Sequence, residues 1–147
     1  MIFCLLLTAW TLVFAQQGEI NQNPLKAEAF LTPTSLPAGA NGSLKINLEL
    51  AKGHHAYLDM FRIRFAEPND VNMGTFEIKP VVEFFDKFSK KQRKGIKEGS
   101  SQLTTVIEVP EHYAPRTYLA KVALTYQACT KKYCLLPKTL EVPLRLD

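Results

Sequence analysis

Apolar and polar residues alternate along most of this chain with a period of two. In Leu44-Lys45-Ile46-Asn47-Leu48-Glu49-Leu50 every second residue is apolar, so a strand here buries one face and wets the other. Phe61-Arg62-Ile63-Arg64-Phe65 repeats the pattern, and Leu103 to Val109 continues it more weakly. Tyr118 to Tyr126 places Tyr118, Ala120, Val122, Leu124 and Tyr126 on the inward side. Leu140 to Leu146 alternates again with Pro143 outward, as expected of an edge strand, where the missing N–H costs no ladder bond. Turn-rich stretches separate these runs at Pro33 to Gly42, Glu67 to Gly74 and Gly95 to Ser101.

Seven or so short strands punctuated in this way predict an all-β domain, an immunoglobulin-like antiparallel β-sandwich. The inter-sheet cysteine pair of antibody domains is missing, because Cys129 and Cys134 are too close in sequence to join two sheets. The first 15 residues, MIFCLLLTAWTLVFA, are apolar and end on a small residue, which predicts a cleaved secretory signal at 1–15. That run is shorter than the roughly 20 residues of a membrane-spanning helix, so no span is expected once the signal is removed. Residues 16–24, QQGEINQNP, form a short polar linker, and 25–147 form the domain. The part after residue 15 is about 132 residues long, which suits a single domain with its own core, and a monomer is expected.

Export changes the meaning of the cysteines. Cys4 leaves with the signal, so Cys129 and Cys134 form an even pair in an oxidising compartment, periplasmic or otherwise exported. The net charge of +4 is concentrated in Lys87 to Lys97, KFSKKQRKGIK, which carries no interleaved base-stacking aromatics. It predicts a solvated loop or a surface that attracts an acidic partner, not nucleic acid.

The two cysteines lie in Leu124 to Pro137, LTYQACTKKYCLLP, where a structural staple, a redox couple and a metal clip are all open. Strand parity puts Cys129 on the outer face with Lys121, Thr125 and Gln127. The four-residue connection Thr130 to Tyr133 would make the cysteines cross-strand neighbours, with Cα atoms about 4.5–5.5 Å apart. That separation permits a disulfide. The parity of the last strand aims Cys134 at the core unless a bulge or kink intervenes between Leu135 and Pro137. So small a loop makes a bridge a weak stabiliser. Lys131 and Lys132 favour a thiolate nearby. A metal needs further ligands, and adjacent His54 and His55 point to opposite faces of a strand, with only His112 besides. In FFDKF, Phe84 and Phe85 are expected in the core, whereas Phe88 is an aromatic among charges.

TYQAC at Thr125 to Cys129, a short loop, then Cys134, Pro137 and a strand ending in VPL at Val142 to Leu144 resemble the N-terminal periplasmic domain of the thiol:disulfide interchange protein DsbD. KGHHAY at Lys52 to Tyr57 is similar to the Gly-aromatic segment that opens a strand in that family, and FFDKF falls where the family carries a cap loop. The resemblance implies an immunoglobulin-like domain whose exposed cysteine pair passes electrons to or from thioredoxin-like periplasmic proteins, a protein-disulfide reductase type of activity with no bound cofactor. It assigns the partner-linked mixed disulfide to Cys134 and its resolution to Cys129, and the cap to Asp86 and Phe88; a small partner surface is expected on the hairpin Thr125 to Pro137, at Lys131, Lys132 and Tyr133, whose charges steer association. The cysteine loop is one residue shorter than in the best-known members. The membrane electron donor is expected to be a separate polypeptide. The alternative is a non-catalytic exported β-sandwich that binds a protein through its loops and keeps a structural disulfide.

Overall fold

Leu44, Ile46, Leu48 and Leu50 are all buried while Lys45, Asn47 and Glu49 are exposed, so the alternation holds along the centre of the domain. Burial of each such side chain contributes about 1.5–3 kcal/mol. The computed structural model describes residues 23–112 and 121–145. The expected signal at 1–15, most of the linker, and Tyr118, Ala120 and Leu146 lie outside the described residues.

Ten strands are described: β1 (Leu25–Thr32), β2 (Asn41–Tyr57), β3 (Arg62–Glu67), β4 (Asn72–Met73), β5 (Glu77–Lys79), β6 (Val82–Asp86), β7 (Lys91–Glu108), β8 (Lys121–Tyr126), β9 (Ala128–Cys129) and β10 (Lys138–Arg145). A 3-10 turn, Leu58–Met60, joins β2 to β3. The strands run in the order β3-β8-β10-β1-β2-β7-β4, with β5 and β6 also on β7 and β9 on β2. All pairings are antiparallel except that of β1 with β10. The hydrogen-bonded surface is nearly closed on itself in the immunoglobulin-like manner, and Phe61, Phe65, Val122, Leu124 and Val142 from one layer share a core with Leu25, Leu44, Ile46, Leu103 and Ile107 from the other. Among the described residues no helix is long and apolar enough to cross a membrane.

Three expectations change. Pro143 is exposed, but β10 is no edge: it pairs with β8 as far as Pro143 and with β1 at Leu144 and Arg145. The residue without an N–H stands where one ladder hands over to the next. Gly95 to Ser101 is not a turn but the middle of β7. Gly95 is required there, because a Cβ would lie 2.3 Å from the carbonyl oxygen of Ala56 on β2. Finally, KGHHAY does not open a strand but continues β2 past a bulge. Between Leu50 and His55 β2 advances five residues while β7 advances two, with Gly53 at φ 77° and Gly99 at φ 100° absorbing the bend. The bulge re-aims the end of β2, and that end carries the site.

Candidate redox site

β8 belongs to one layer and ends at Tyr126; after Gln127 the chain crosses to the other layer, where Ala128 and Cys129 pair with Ala56 and His55 of β2. Ala128 joins the core with Val122, Leu124 and Tyr126, so Cys129 lies on the other face as its parity predicts, but it is covered there instead of exposed. Cys129 is buried, at 1% exposure, and Ala128 beside it is buried as well. Cys134 is exposed, not core-facing, because residues 135–137 form no strand and β10 begins only at Lys138. The two cysteines form an antiparallel bridge and a disulfide, with Cα atoms 3.9 Å apart, closer than the cross-strand spacing expected from sequence.

The connection is a hydrogen-bonded turn. The Thr130 N–H donates to the Tyr133 carbonyl at 2.7 Å, and the N–H groups of Lys132 and Tyr133 donate to Thr130 Oγ1 at 3.2 Å. The Leu135 N–H donates to the Ala128 carbonyl, and Gln127 Nε2 donates to the Leu135 carbonyl, closing the base of the loop. Lys131, Lys132 and Tyr133 are thereby held exposed beside Cys134.

Across from this loop stands the hairpin of β6 and β7. An open cleft of about 520 Å³ separates them, lined by Gln127, Lys132, Tyr133 and Cys134 on one side and Tyr57, Asp86, Phe88 and Arg93 on the other. A larger cleft of about 1060 Å³ lies among Lys26, Glu49, Lys79 and Gln102, but it contains neither cysteine nor histidine. The cap residues and the exposed sulfur therefore line one space. Lys131 is on the loop but not on the cleft wall.

Asp86 anchors the cap. Its carboxylate is 4% exposed and accepts hydrogen bonds from Ser89 Oγ at 2.7 Å, the Phe88 N–H at 3.0 Å and Arg93 Nη1 at 3.1 Å. The Ser89 bond is the largest effect on its acidity; burial opposes it, and the bonds from Phe88 and Arg93 reinforce it, leaving the pKa at about 2. Arg93 also pairs with Asp59 and lies 3.7 Å from the centre of the Tyr57 ring. Phe88, tethered through its own N–H, is 79% exposed at the tip.

Phe84 and Phe85 do not join the core as expected. Phe85 is 59% exposed, and Phe84 is half-buried, stacked on His55 at 4.9 Å between ring centres and edge-on to Tyr57. β6 covers the bulged end of β2, not the sandwich interior, so its aromatics meet rings instead of core aliphatics. No sequence signal marks Tyr57, Asp59, Arg93 or Gln127 as site residues, and His55 stands in the sequence only as a metal-ligand candidate. Arg93 sits in a run of cations that look alike, and its partner Asp59 is remote in sequence. Among the described residues no group of three or more His, Cys, Asp or Glu could hold a metal ion.

A family model described as "Thiol:disulfide interchange protein DsbD, N-terminal" matches residues 21–146. The chain belongs to this family. Among solved structures, it is similar to the DsbD N-terminal domain of Neisseria meningitidis in the reduced form, with 19% identity, a TM-score of 0.53, and coverage of 76% of this chain and 82% of that one. It is also similar to a structure of the complex between the DsbD N-terminal and PilB N-terminal domains from Neisseria meningitidis, with 16% identity, a TM-score of 0.53 and 84% coverage of both chains. At these identities the two structures speak for the fold. A comparison with curated proteins finds no match.

Proposed function

We propose that this DsbD N-terminal family member is an exported, periplasmic thiol-disulfide exchange domain, in which the Cys129–Cys134 pair passes electrons to or from thioredoxin-like proteins. The observation that carries this reading is the asymmetry of the bridge: Cys129 is buried and Cys134 opens into a cleft walled by an aromatic cap. Exchange requires a sulfur that a partner can reach and a second close enough to close the bridge again, and covering the second directs the partner to the first. A partner thiolate attacks Cys134 Sγ, the Cys129–Cys134 bond breaks, and Cys129 leaves with the electron pair as a thiolate. In the opposite direction a Cys134 thiolate attacks a partner disulfide, and Cys129 then attacks Cys134 Sγ and releases the partner reduced. No bound cofactor is needed, because the sulfurs carry both electrons. The complex with the PilB N-terminal domain, formed by a protein of the same fold, supports a protein partner of this kind. A membrane electron donor would supply or drain the electrons.

The reduction potential of the bridge tests the reading directly. A value above about −300 mV is expected, since stable structural bridges lie below it. A lower value would assign the bridge a structural role.

The partner surface in this reading centres on Lys131, Lys132 and Tyr133, with the cap opposite. Exposed charges of this kind steer association more than they hold a complex. Lys131→Glu combined with Lys132→Glu is expected to slow association with an acidic thioredoxin-like partner roughly tenfold at low salt, with little change in dissociation. Stopped-flow rates at two ionic strengths check this, and equal association rates at low salt would remove the lysines from the interface.

A further inference from the structure

Cys129 has to ionise in surroundings that discourage it. It is 1% exposed, and burial disfavours a thiolate. Once released from the disulfide it can return as a nucleophile only after losing its proton. The register of the strands supplies a neighbour for that proton. His55 is the direct partner of Cys129 across β2 and β9. Directly opposed residues of an antiparallel pair project to the same face, with Cβ atoms about 4.5–5.5 Å apart.

The imidazole is held in place there. Phe84 stacks on it with an interplanar angle of 29°, and Nε2 lies 3.3 Å from the Tyr57 hydroxyl, which leaves Nδ1 without a hydrogen bond among the described residues. We propose that His55 takes the proton of the Cys129 thiol, so that the resolving sulfur is delivered as a thiolate beside an imidazolium.

The step balances. The Cys129 S–H proton passes to the imidazole; the thiolate attacks Cys134 Sγ in the mixed disulfide; the Cys129–Cys134 bond forms as the bond from Cys134 to the partner sulfur breaks. Cys129 is oxidised, the partner sulfur is reduced and leaves as a thiolate, and the imidazolium returns its proton to that thiolate or to water. The charged and titratable groups around the ring are His54 and Tyr57 of β2, Asp86 of β6, and Arg93 and Lys97 of β7, while Lys131 and Lys132 stand on the loop joining the cysteines. Burial, the largest influence, lowers the histidine pKa below its ordinary value; Asp86 opposes this and His54 adds to it. With the disulfide closed the ring is therefore neutral at pH 7, the form a base requires.

The inference takes its purpose from the exchange reading above, but its test needs no partner protein. Histidine resonances of the protein are titrated by NMR in the disulfide and the reduced forms. Reduction should raise the proton affinity of His55 about tenfold, one pH unit, because a thiolate now faces it. In a second measurement Cys134 of the reduced protein is loaded with thionitrobenzoate, and its release by Cys129 is followed by absorbance. His55→Phe should slow release about tenfold at pH 7 and recover towards pH 9, where the thiol ionises without help. Identical His55 titrations in the two redox forms overturn the proposal, and so does a variant that releases the probe at the wild-type rate at pH 7. Failure to exchange with any thioredoxin-like protein would instead strike the proposed function and leave this result standing.

Discussion

Cys129→Ser is expected to turn an exchanging protein into one that holds its partner. Mixed with an oxidised thioredoxin-like protein, the variant should attack through Cys134 and accumulate a covalent adduct visible on a non-reducing gel, at least tenfold above the level formed by Cys134→Ser. The difference follows from position. Cys134 is exposed on the cleft, whereas Cys129 is 1% exposed and held in the sheet by its pairing with His55 of β2. Attack needs the sulfur in line with the partner disulfide, which an exposed thiol can achieve and a covered one cannot. Serine at 129 is close to cysteine in size but cannot resolve the adduct. Adducts at equal levels in both variants, or only in Cys134→Ser, would reverse the roles of the two sulfurs.

The sequence made the cysteine loop legible and hid how deeply its first sulfur is covered. Parity along Lys121 to Cys129 assumes one unbroken strand, and it holds for Val122, Leu124 and Tyr126, all buried. Ala128 keeps the parity by joining the core, but Cys129 on the other face is covered, because the chain leaves β8 at Gln127 and pairs with β2, and no local pattern announces that change of partner. β2 was readable for the opposite reason. It buries one face and wets the other, so burial is written into Leu44, Ile46, Leu48 and Leu50 at every second place. The first half of β7 carries no such pattern. Lys91, Gln92, Lys94 and Lys97 are all exposed, and that stretch is held in the sheet by its ladders to β2 and β6. Gly95 looked like a turn residue when its function is to admit the Ala56 carbonyl. In the cap, Phe88 stood out as an aromatic among charges. Its anchor did not, since Asp86 and Arg93 meet across a hairpin and Asp59 reaches Arg93 from a distant segment.

That anchor makes the cap separable from the fold, and the separation can be tested. Phe88 is 79% exposed, so Phe88→Ala should change stability by less than about 0.5 kcal/mol. It lines the cleft with Cys134, so its loss should open the sulfur and speed reduction by glutathione several-fold, with the reduction potential unchanged. Asp86→Asn should give a similar acceleration by another route, because it weakens the bonds that fix the Phe88 N–H, Ser89 and Arg93. The pH dependence has a definite sign. The Asp86 pKa is about 2 when folded against 3.8 when free, so the folded cap binds this proton more weakly than the unfolded chain. Its contribution is fully present above pH 3.8 and is lost as pH falls through about 2. With a phosphine reductant that works in acid, wild-type protection should hold from pH 7 to pH 4 and fall away towards pH 2, whereas Asp86→Asn should lack that acid step. Equal rates for Phe88→Ala and wild type at pH 7 would mean that the aromatic does not shield the bridge. A large loss of stability in Phe88→Ala would place it in the core instead.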